Sequence, residues 1–254
     1  MIFMRILPGV LKELLKHVPT VLFEAVEWSV LASELPKLSR RIIQKEGYNE
    51  LFELQSAFLS HFKVNLVDKV DKHCDLKDKK LAAEKILGLY FAQLFSPHGL
   101  FLDLSPSHFD LQKEEFNFKP SGVWTKFNPT FSQGLKDIYD GFYFEDENIF
   151  HQGLLKSGLT SDKWPEADRQ KLAELFKSHF GASLTSEMSF ELKGFKESFL
   201  KVADFMLEKK VNISTDFLYL GIALVTMYSS LEKIGAKVNV KQVYLDVKKQ
   251  LEPK

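Results

Sequence analysis

A single cysteine, Cys74, stands among 254 residues. A lone thiol cannot close a disulfide within the chain or build a cysteine metal cluster, a pattern that fits a reducing compartment. Net charge is also absent, because Lys and Arg sum to 34 and so do Asp and Glu. With no net field, nucleic acid is not an expected partner. Secretion is not expected either. The opening MIFMRILPGVLKELLKH has an early arginine, but Pro8, Gly9, Lys12 and Glu13 interrupt any apolar core and no small-residue cleavage site follows. The longest apolar run, FLYLGIALVTMYSSL at 217–231, falls short of the roughly 20 residues a membrane span needs. It reads as a buried helix. A cytoplasmic location is therefore expected. Peripheral membrane contact is expected only through residues 1–19, where Ile2, Phe3, Ile6, Leu7 and Val10 are apolar and Lys12 and Lys16 cationic.

What is abundant is ordinary globular material, 45% hydrophobic and 27% charged, with one oddity. Phenylalanine occurs 23 times, against 3 Trp and 7 Tyr. Phe fills wide spaces between helices, and core packing is a better reading of this excess than a pocket for a lipid-like or quinone-like ligand.

Helix signals dominate. Thr20 can cap a helix through Ala25 and Val26, and Pro36 suits the first turn of another that ends near Gly47. Asn49 precedes ELFELQSAFLSHF, with Leu51, Leu54 and Phe58 at helical spacing, and Asp75 or Asp78 caps LAAEKILGLYFAQLF, which stops at Ser96-Pro97-His98-Gly99. The first 95 residues therefore read as almost wholly helical. Further helices are expected over 131–142, 147–156 before Gly158, 165–180 before Gly181, and 190–210. Two more follow, one capped by Thr215 and ending before Gly235, the other capped by Asn239 with Val240, Val243, Tyr244 and Val247 on one face. Convincing period-2 alternation is confined to 115–119 and 123–127, and Pro120-Ser121-Gly122 between them predicts a small β-hairpin. The expected fold is mainly α, with a helical N-terminal extension over 1–78 and a helical lobe over 79–254.

Residues from about 80 to 250 resemble the large lobe of the UbiB family of atypical kinase-like proteins. The resemblance lies in the helix LAAEKILGLYFAQLF, the proline-containing loop SPSHFD, the alternating runs, GLKDIYDGFYFEDENIFHQGLLKSGL, and a tail of long apolar helix, KIGA turn and amphipathic helix. It implies a kinase-like large lobe without a recognisable β-rich small lobe. The family's lysine-x-glycine-glutamine signature and alanine-rich nucleotide loop have no counterpart, and neither a glycine-rich loop nor a strand lysine is visible.

The acidic positions of that family also differ here. Where the family places an aspartate directly before a proline, Ser105 precedes Pro106, and Asp110 stands where an asparagine follows. A serine hydroxyl cannot act as a base at neutral pH as a carboxylate can. The metal-binding Asp-Phe-Gly corresponds to Lys126-Phe127-Asn128, which replaces a metal ligand by a cation. Ser105, Asp110 and Lys126 are thus vestigial active-site positions, and Lys126 either neutralises Asp110 across the cleft or faces solvent. Asp103 and His108 are weaker candidates for retained chemistry. His98, Asp103, His108 and Asp110 match no metal-binding spacing, so no metal, cofactor or catalytic residue is expected, and Cys74 beside His73 reads as structural.

The resemblance with these substitutions implies a pseudokinase, a non-catalytic module that binds a protein or lipid-like partner, with a link to quinone or isoprenoid metabolism. The alternative is nucleotide binding with residual or atypical transferase activity.

Overall fold

The computed structural model describes residues 36–37, 39–40, 45, 47–70, 78–112, 115–184, 187–211 and 213–252. The helix expected at 20–26, the segment 1–19, and His73 with Cys74 lie outside these residues; the helix expected from Pro36 is described, as helical, only at 36–37 and 39–40. The fold is mainly helical. Its helices are α1 Tyr48–Ser60, α2 Lys79–Phe95, α3 Pro129–Tyr143, α4 Glu147–Lys156, α5 Glu166–Phe180, α6 Leu192–Glu208, α7 Thr215–Ile234 and α8 Val240–Leu251. Its strands are β1 Val64–Leu66, β2 Leu100–Phe101, β3 Phe109–Gln112, β4 Glu115–Phe118 and β5 Trp124–Thr125.

Helix ends follow local chemistry. The carboxylate of Asp78 accepts from Leu81 N at 2.9 Å and Asn239 accepts from Gln242 N at 2.9 Å, each taking up an amide that the first turn leaves open. Gly235 ends α7 in the left-handed conformation, φ 68°, which a side chain would disfavour. Thr215 is not the cap expected for α7; that role falls to Ser214, one residue earlier.

Helix α2 is buried on nearly every side, from Ala82 to Leu94, and packs against α1, α3, α7 and α8. Helix α7 is the one described helix long and apolar enough to cross a membrane, yet 78% of that window is buried inside the fold. A core helix explains its composition. Helices α3 and α4 touch backbone to backbone: a Cβ on Gly153 would lie 2.5 Å from Ile138 N, and one on Gly134 would meet Ser157.

The small sheets differ from the expected arrangement. The runs 115–119 and 123–127 do not pair with each other. Instead β4 pairs antiparallel with β3 and parallel with β1, while β5 pairs antiparallel with β2. Pro120-Ser121-Gly122 is thus a crossing between two sheets. Strand β1 also corrects the reading of the first 95 residues as almost wholly helical. Its Val64, with Leu51, Leu59 and Phe62, belongs to the same hydrophobic core as α2 and α7.

The phenylalanines pack this core, with Phe91, Phe101, Phe116, Phe118, Phe150 and Phe217 almost wholly buried. Between α2, α3, α5, α6 and α7 they leave a pocket of about 60 Å³, lined by Tyr90, Tyr139, His179 and Tyr228 among others. That space suits a few waters rather than a ligand of lipid or quinone size, since such sites run to roughly 300 Å³ or more.

Candidate functional site

The loop between β2 and β3 is fixed from both ends. Leu102 N donates to Val123 O at 2.9 Å, extending the β2–β5 pairing by one bond. Leu102 and Leu104 point into the core with no exposed surface, so the alternation that buries them leaves Asp103 between them. From behind, α7 holds this backbone with two hydroxyls one turn apart. Thr226 Oγ1 accepts from Leu104 N at 3.0 Å and lies 3.0 Å from Leu102 O, and Ser230 Oγ donates to Leu104 O. Buried backbone groups without such partners would be costly, and these two side chains supply them.

Asp103 and His108 meet at the mouth of the loop. Asp103 Oδ2 lies 3.0 Å from His108 Nε2. The other carboxylate oxygen accepts from Ser105 N at 3.1 Å and Ser105 Oγ at 2.5 Å. His108 Nδ1 is 2.8 Å from the carbonyl oxygen of Lys119, and Lys119 N donates to His108 O at 2.9 Å. Both ring nitrogens therefore face acceptors, so the ring satisfies both contacts only as imidazolium. Burial opposes that charge, but the hydrogen bond and field of Asp103, with the Lys119 carbonyl, outweigh it and raise the His108 pKa above its ordinary value. For Asp103, burial works upward, while His108 and the two Ser105 bonds prevail and hold the carboxyl below its ordinary value.

This pair brings together the two weaker candidates and one vestigial position. Ser105 is the hydroxyl that helps pin Asp103. Asp110 and Lys126 stand elsewhere. Asp110 is buried in β3 and accepts from Asn117 Nδ2 at 2.6 Å, and Asn117 Oδ1 in turn accepts from Asn65 Nδ2 at 3.2 Å. A polar ladder thus crosses all three strands of the larger sheet, in register through Asn65, Asn117 and Asp110. Lys126 is exposed just after β5 and lines a cleft with Gln93, Ser96 and Lys136. Of the two alternatives for Lys126, the structure has the solvent-facing one: it is exposed and no ion pair joins it to Asp110 among the described residues. The two belong to different sheets' margins, so a β-pairing unlike the expected hairpin separates them.

Among the described residues, no group of three or more His, Cys, Asp or Glu side chains is placed to hold a metal ion. Chemically, a carboxyl held below its ordinary value is a weaker base, and both nitrogens of the His108 ring are already engaged. The arrangement braces the loop to the exit of β4. Sequence reasoning missed Thr226 and Ser230, although hydroxyls spaced i, i+4 in an otherwise apolar helix were a visible signal. It also missed Lys119, whose part is played by its backbone and leaves no trace in side-chain chemistry.

No protein-family model matches the chain, and no curated protein matches it.

Proposed function

We propose that this chain is a non-catalytic kinase-like module of the UbiB type that works by binding a protein or lipid-like partner. The observation that carries this reading is that both oxygens of Asp103 are bonded internally, one by Ser105 N and Oγ and the other by His108. A general base needs a lone pair directed at substrate, and this carboxylate spends its own on internal donors. A hairpin does adjoin the 102–108 loop, but it is β3–β4 rather than the one expected at 115–127; His108 and Lys119 bond across that junction. A cytoplasmic setting, peripheral membrane contact through residues 1–19 and a link to quinone or isoprenoid metabolism belong to the same proposal.

The test is a phosphotransfer and ATPase assay with Mg²⁺ or Mn²⁺ on the intact chain and on Asp103→Asn. The same background rate in both is expected; turnover that Asp103→Asn removes overturns the reading. Co-sedimentation with liposomes, with and without residues 1–19, tests the membrane contact, and equal recovery of both forms ends it.

A second reading, residual nucleotide-dependent transferase activity, draws on one observation: a carboxylate and an imidazole in contact at a loop mouth can serve as an acid–base pair when a ligand displaces one of them. The same assay decides between the two.

A further inference from the structure

The cleft that Lys126 lines has the features of an anion site. It lies between the C-terminal end of α2, β2 and the first turns of α3, and encloses about 380 Å³. Lys126 and Lys136 both line it, and neither makes an ion pair among the described residues. Among the described residues no carboxylate lines it. The acids around it have other partners: Asp137 holds Lys156 at 2.6 Å and the cleft-lining Gln133 at 2.7 Å, Asp140 holds Lys248 and Tyr244, and Asp216 accepts from Asn128 N at 3.1 Å at the edge of the cleft. Two cations with no direct ion pair among the described residues thus share one concave surface in a chain of zero net charge.

An independent observation points the same way. Gln93, in the cleft lining, is 2% exposed; its Oε1 accepts from Phe101 N at 2.8 Å, which fixes the amide's orientation. Its Nε2 then carries two N–H groups with no hydrogen-bond partner. A buried donor left unpaired is costly, and an acceptor that reached it from the cleft would satisfy it. Burial also pushes the Lys136 ammonium pKa down while its Nζ lies 5.7 Å from the Phe95 ring centroid, so an approaching anion would recover a charge the site holds at a cost. Leu100 and Phe127, both largely buried, are among the apolar residues of the lining.

We propose that this cleft binds an organic oxyanion, a phosphate or carboxylate head on an apolar body. The head sits between Lys126 and Lys136 within reach of the Gln93 amide, and the body lies against Phe127 and Leu100. The inference rests on the cleft alone and is independent of the kinase-like reading. A lipid headgroup and a soluble phosphate ester share this chemistry.

The test is calorimetric titration of the full chain with phenyl phosphate, with phenol as the uncharged control, beside sedimentation with phosphatidate-containing and phosphatidylcholine vesicles. Saturable binding of phenyl phosphate is expected, with phenol much weaker and Lys126→Gln or Lys136→Gln each costing about tenfold in affinity, the worth of one charge-assisted contact. Gln93→Leu should weaken binding further, with unfolding midpoints confirming that each variant is folded. Vesicle binding that the lysine variants abolish assigns the site to a lipid headgroup, and binding of phenyl phosphate without vesicle binding assigns it to a soluble ester. Phenol binding as well as phenyl phosphate, unchanged affinity in both lysine variants, or no saturable binding of phenyl phosphate together with no phosphatidate preference, overturns the proposal.

Discussion

Asp103 Oδ2 and His108 Nε2 face each other at 3.0 Å, and the second nitrogen of the same imidazole faces the Lys119 carbonyl at 2.8 Å. One side chain thus ties the start of a loop to the strand that leaves the neighbouring hairpin. That tie is ionic, so pH should act on it.

His108 is raised above 6.5, so its contribution to stability is complete below that value and fades as pH rises through the higher folded pKa. Asp103 is depressed below 3.8, so its contribution is present above that value and is lost as pH falls through the lower folded one. The brace is therefore strongest between these limits. Asp103→Ala leaves a half-buried imidazole without its partner and should destabilise by about 2 kcal/mol near pH 6. Urea unfolding of the wild type and variant from pH 5 to 9 checks this: the difference should shrink on the alkaline side, and a constant difference would count against the ionic tie.

His179 should add the opposite slope. Burial depresses its pKa from 6.5 to about 4, and its Nδ1 donates to Ser198 Oγ at 2.8 Å, since Ser198 gives its own proton to Phe195 O. A depressed group favours folding above 6.5 and withdraws that support as pH falls toward its folded value. The wild type should lose up to about 3 kcal/mol between pH 6.5 and 4 from this ring alone. His179→Phe should flatten that limb, and NMR titration of the imidazole signals reads the same pKa directly.

Thr226→Val keeps the shape of α7 and removes the hydroxyl that serves Leu104 N and Leu102 O. A buried amide then lacks its acceptor, at a cost of about 2 kcal/mol. Chemical denaturation measures it, and hydrogen exchange should show Leu104 losing protection while the middle of α2 keeps it.

Gly153→Ala should be the most damaging of these small changes. Its Cβ would lie 2.5 Å from Ile138 N, backbone rather than a movable side-chain tip, so α3 and α4 must separate. A loss of about 3 kcal/mol is expected, whereas Gly194→Ala, on α6 with nothing within 4 Å, should be neutral or slightly stabilising. Similar midpoints for the two variants would contradict the backbone contact between α3 and α4.

Much of the helical frame was legible because caps and periodicity are local. Asp78, Asn239 and Gly235 announce helix ends through groups only a few residues away. Strand partners were not legible. The run 115–119 alternates as a strand should, but nothing in it says that its neighbours are 109–112 and 64–66, because short strands choose partners by distant burial and not by the intervening turn. The candidate site shows the same limit. Asp103, Ser105 and His108 were visible as chemistry within one loop, while their mutual contact depends on Pro106–His108 forming a 3₁₀ turn and on Lys119 arriving from another strand. Lys126 read as a replacement for a metal ligand because Lys126-Phe127-Asn128 resembles the family's Asp-Phe-Gly. Its actual neighbours in the cleft, Gln93 and Lys136, come from two helices that no local pattern connects.

Asp103, bonded to Ser105 and His108, is proposed to serve no phosphoryl transfer. Thermal unfolding of the intact chain with and without ATP and Mg²⁺ tests it most directly, since a ligand of the folded state must raise the midpoint. The account predicts no Mg²⁺-dependent change in the wild type or in Asp103→Asn. A reproducible Mg²⁺-dependent rise in the wild type that Asp103→Asn abolishes would contradict it.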